Sequence, residues 1–72
     1  MNLRNRNPVK VTQPVLDGIT AVRDSGETNM LDYNQVTVLC FRKGFPEAGW
    51  WIGEHKDEYS RGIFAGFEAT KP

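Results

Sequence analysis

Eight consecutive residues, Ser25-Gly26-Glu27-Thr28-Asn29-Met30-Leu31-Asp32, close one helix and open another, and they restrict the fold more tightly than any other stretch. Gly26 suits a helix C-terminus because a residue without Cβ takes the left-handed conformation at no steric cost. Asp32 has the chemistry of an N-cap, with Gln35 three residues on to complete a capping box. Leu31 before the cap and Val36 after it are spaced for a hydrophobic staple. This grammar speaks to fold. It carries no catalytic chemistry.

Helices are expected on both sides of the connector. The first should begin at Thr12 or Gln13, because Pro14 suits a first turn, and Val15, Leu16, Ile19 and Val22 then form one apolar stripe. Gly18 weakens its middle, which marks close packing against another helix. Met30 and Leu31 are apolar enough to plug the core from its edge. A second helix is expected over Tyr33–Lys43, stopped by Gly44. Its run Val36-Thr37-Val38-Leu39-Cys40-Phe41 competes as a strand, but signals for a helix start and stop frame both ends. With apolar residues on nearly every side, this helix is either central or meets a partner with its second face. Pro46 and Glu47 start a third helix, which carries Ile52, Tyr59 and Ile63 and is open to a kink or break near Ser60–Gly62. Residues 1–11 read as a flexible lead-in, 12–67 as one helical domain, and 68–72 as a frayed end; Val9 and Val11 have the option of lying on the domain as a short extended piece. The fold class is all-α: a small three-helix domain with capped turns.

Size then becomes a constraint on function. A chain of 72 residues draws only about 3–5 kcal/mol from its own core, and domains this small often lean on disulfides, metals or association. Cys40 is the only cysteine and His55 the only histidine, so no intrachain disulfide forms, and neither a metal site nor a cofactor is expected. That leaves a homodimer or another partner as support. A lone cysteine without a secretion signal fits the reducing cytoplasm, and no apolar run nears the roughly 20 residues of a membrane span.

Net charge is zero but unevenly spread. Arg4, Arg6 and Lys10 stand in the first eleven residues without an acid, whereas the remainder holds six basic and nine acidic residues. A duplex-binding domain needs a basic face to neutralise phosphates. The body lacks one, so nucleic acid is the weaker partner class, and the basic arm reads as a solvated tail.

Four groups of side chains bear on function. Cys40 and His55 are the residue types of a nucleophile and base, but Cys40 lies amid Val38, Leu39 and Phe41, where it packs as a small hydrophobe. Glu54, His55, Asp57 and Glu58 gather ligand types, yet a solvated helix face accounts for them with fewer assumptions. Trp50 and Trp51 point about 100° apart on a helix, so both cannot easily enter one small core. Trp51 should be the core ring, aligned with His55 and Tyr59, leaving Trp50 partly exposed as a binding anchor; the plainer option is a bulky pair thickening the core. Ile63, Phe64 and Phe67 add an apolar end that serves either a dimer seam or packing against the first helix.

The string Ile19-x-x-Val22-Arg23-Asp24-Ser25-Gly26-Glu27-Thr28-Asn29-Met30-Leu31-Asp32, followed by Glu54-His55-x-x-Glu58-Tyr59 and Ile63-Phe64-x-Gly66, resembles a family of short uncharacterised bacteriophage and prophage proteins. The resemblance covers roughly residues 15–67. It implies a small helical protein of unassigned function in a phage setting, where short proteins commonly bind and block a host factor. The expectation is therefore a non-enzymatic protein that occupies a host protein in the bacterial cytoplasm. Its contact face would comprise Trp50, Glu54, Asp57 and Glu58, with Tyr33 as a neighbour. The alternative is a helix-turn-helix-like nucleic-acid-binding regulator built on the Gly44 turn, with Arg42 and Lys43 on phosphate.

Overall fold

A computed structural model describes residues 7–70. The order is β1 (Val9–Val11), α1 (Gln13–Ser25), α2 (Tyr33–Arg42), α3 (Pro46–Glu54), α4 (Lys56–Ala65) and β2 (Phe67–Ala69). The fold is mostly helical, with one small strand pair.

The connector behaves as its chemistry requires. Gly26 is left-handed at φ 67°, and the Ser25 hydroxyl donates to the Val22 carbonyl at 2.7 Å. The Asn29 side chain accepts from the Leu31 amide at 2.9 Å, forming an Asx turn. The Asp32 carboxylate then accepts from the Gln35 amide at 3.3 Å and caps α2. Met30 packs on the core, but Leu31 stands half exposed. Of the two residues expected to plug the core, only Met30 does so, and Leu31, whose amide closes the Asx turn, faces solvent.

α1 and α2 both pack on α3. Gly18 makes the first contact possible, since a methyl there would overlap Phe45 and Ala48. Val15, Ile19 and Val22 of α1, Val36 and Cys40 of α2, Ala48 and Ile52 of α3 and Tyr59 of α4 form the core. α2 has the two faces expected of it. Val36 and Cys40 are buried, while Val38 and Phe41 remain exposed.

The expected long third helix is two helices. The chain breaks at His55 (φ −135°, ψ 55°), which ends α3 and begins α4. The imidazole ring holds this corner: it stacks on Trp51 at 5.0 Å, and its Nδ1–H donates to the Trp51 carbonyl at 2.9 Å. Gly62 lies inside α4, and the Phe67 ring occupies the space a Cβ there would need.

The segments read as loose ends at 9–11 and 68–69 instead pair in parallel, with Val9 opposite Phe67, Lys10 opposite Glu68 and Val11 opposite Ala69. Val9 and Val11 are buried, so this extended piece belongs to the core. The expectations for Arg4, Arg6 and the last two residues lie outside the described residues.

Candidate functional site

α2 and α3 are joined by a tight turn in which Gly44 takes φ 90°, and the Phe45 amide bonds to the Cys40 carbonyl at 2.8 Å. The turn lays the two helices side by side. Between them runs an open groove of about 300 Å³, lined by Thr37 and Phe41 from α2 and by Gly49, Trp50, Gly53 and Glu54 from α3.

The walls are aromatic. Trp50 is 65 % exposed and Phe41 44 %, and their rings meet edge to face with centroids 6.1 Å apart and planes at 83°. Such a pair has favourable quadrupole geometry, so each ring restrains the other. Phe41 also lies over Gly49, where any side chain would displace it. Trp51 turns the other way, half-buried between His55 and Phe67. The two rings thus turn to different sides, as their helical spacing predicts.

The acids are arranged along α3. Glu47, Trp50 and Glu54 recur at three- and four-residue steps, which places an acid on each side of the exposed indole along one helix face. α3 has no basic residue. Tyr33 lies one turn before Thr37 and two before Phe41, on the same stripe of α2. Its ring is half-buried under the Lys56 ammonium, 5.1 Å from the centroid. Asp57 and Glu58 are exposed in the first turn of α4. The break at His55 puts them on a different helix from Glu54, so the expected continuous acidic face is divided between two helices. The structure brings Trp50 and Glu54 into one groove and leaves Tyr33, Asp57 and Glu58 outside the lining. Sequence reasoning missed Thr37, Phe41, Gly49 and Gly53. Phe41 and Thr37 share a four-residue step with Tyr33, and that spacing was the available signal.

Cys40 and His55 have different surroundings. Cys40 is buried inside α2, and burial pushes its thiol up to about 11. This opposes the lowered pKa of a thiolate nucleophile. His55 is engaged through stacking and its Nδ1–H bond at the helix corner. Among the described residues, no group of three or more His, Cys, Asp or Glu side chains converges as a metal site. No described helix is long and apolar enough to cross a membrane.

The family model for the Domain of unknown function (DUF5049) matches residues 11–67. The chain belongs to the DUF5049 family. The match includes all four helices and therefore every residue of the groove. No curated protein and no solved structure matches the chain.

Proposed function

We propose that this DUF5049 chain is a small, non-enzymatic binding protein that docks a host protein through the α2–α3 groove and occupies or inhibits it. The phage setting rests on the sequence resemblance described above. One observation carries the docking reading: Trp50 is 65 % exposed while its ring is held against Phe41 at the edge of a groove. An aromatic that is exposed yet restrained loses little conformational freedom on binding, and tryptophan is enriched among interface hot spots. Glu47 and Glu54 flank it, which suits a basic partner surface and disfavours an acidic one.

The nucleic-acid alternative draws little support from the same geometry. α3 is the helix that would enter a groove of DNA, and it carries two acids and no base. Lys43, beside the turn, pairs with Glu27 at 3.2 Å. A salt-dependent gel shift tests that alternative directly.

The docking reading is tested by passing bacterial lysate over the immobilised chain and over its Trp50→Ala variant. A host protein held in stoichiometric amount by the first, and at least tenfold more weakly by a variant of equal helicity, supports it. Equal retention by both contradicts it. A dimer in solution scattering that masks Trp50 would reassign the partner to a second copy of the chain without moving the site.

A further inference from the structure

We propose that the groove receives one arginine side chain of the docked partner, with the guanidinium against the Phe41 and Trp50 rings and paired to the Glu54 carboxylate. The inference rests on the docking reading and specifies its partner's chemistry.

The strongest observation concerns Gly53. Gly18, Gly49 and Gly62 each lie under a close side chain of this same chain: Phe45 and Ala48, Phe41, and Phe67 respectively. Their small size is explained by internal packing. Gly53 has no such neighbour: an added Cβ there would meet nothing within 4 Å. It nonetheless lines the groove between Trp50 and Glu54. A side chain at this position would enter open space beside the groove.

The chemistry around that space is selective. Phe41 and Trp50 stand at 83° to one another and form an aromatic corner, and Glu54 adds a carboxylate to the same lining. A guanidinium is planar, weakly hydrated and always charged, so it can lie on an aromatic face and bond a carboxylate together. An acidic side chain would be repelled by Glu54, and an aliphatic one would leave that carboxylate desolvated and unpaired. The stripe already accommodates a cation elsewhere, since Lys56 lies over the Tyr33 ring, two turns from Phe41 on the same helix.

The test uses the isotope-labelled full chain, titrated with Nα-acetyl-arginine methylamide and with the neutral citrulline isostere at equal ionic strength. The arginine probe should shift the Gly49, Gly53 and Glu54 amides and the Trp50 indole N–H, with citrulline binding at least fivefold more weakly. Glu54→Gln should weaken the arginine response threefold or more. Gly53→Leu should abolish it while circular dichroism shows helicity kept or raised; Gly53→Ala serves as the milder variant should leucine disturb the fold. Equal responses to both probes, shifts scattered over the surface, or full binding by Gly53→Leu would overturn the inference. The two readings fail separately. Capture of a host protein that depends on Trp50 but not on Glu54 or Gly53 would overturn the arginine site and leave docking intact. A specific arginine response in a chain whose host capture ignores Trp50 would support the site and sink the docking reading.

Discussion

The Tyr59 hydroxyl donates a 2.5 Å hydrogen bond to the Met30 carbonyl, tying α4 to the connector between α1 and α2. The ring is fully buried in the core. Tyr59→Phe keeps the ring and removes the donor, leaving the Met30 carbonyl without that partner. The expected loss is about 1–2 kcal/mol, read from urea midpoints at neutral pH. An unchanged midpoint would mean that water replaces the phenol freely.

Glycines in α3 and α4 should respond in opposite directions to the same change. Gly62→Ala drives a methyl into the Phe67 ring, and overpacking of this kind costs about 1–3 kcal/mol. Gly53→Ala meets open space and should stabilise by up to about 1 kcal/mol through helix propensity, less if the end of α3 frays. Thermal melts of the two variants give the comparison, and destabilisation by both would contradict the described packing.

Val11→Ala should cost about 1–3 kcal/mol, because the side chain is buried against the helices from a paired strand. A loose lead-in would give no change. Chemical denaturation of this single variant decides between them.

Stability should fall on the alkaline side. Burial raises the Cys40 thiol from 9.0 to about 11, and burial followed by the Cys40 charge raises Tyr59 as well. Each folded group keeps a proton that the unfolded chain releases. The unfolded state therefore binds fewer protons in this window, and stability is complete below about pH 9 and declines as pH rises through about 11. Denaturant midpoints followed from about pH 8 to about pH 11 should drop, and Cys40→Ala should show a shallower drop from a lower starting point. A flat profile for the unmodified chain would contradict the burial of both groups.

Local grammar made much of this molecule legible. Pro14, Gly26 and Asp32 marked the ends of α1 and the start of α2 because caps act over three or four residues, and helical spacing separated Trp50 from Trp51. The break at His55 was hidden because neither a proline nor a glycine stands at that corner. Gly62 drew the expected break to the wrong place, since its role depends on Phe67, a residue outside the helix. The pairing of Val9–Val11 with Phe67–Ala69 joins two three-residue segments from opposite ends of the chain, too short for alternation to register. The groove was half visible: Trp50 and Glu54 could be read from α3, but Phe41 and Gly53 became part of it only once α2 lay alongside.

The central claim is that the Trp50 face meets a host protein, and photocrosslinking inside bacterial cells tests it most directly. Benzoylphenylalanine replaces Glu47, exposed one turn before Trp50 on the same face of α3, in one variant and the exposed Phe64, outside the groove, in another, with Trp50 kept in both. A discrete adduct with one host protein from position 47, absent from position 64, is the expected result. No adduct at position 47, or the same adducts from both positions, would contradict the account.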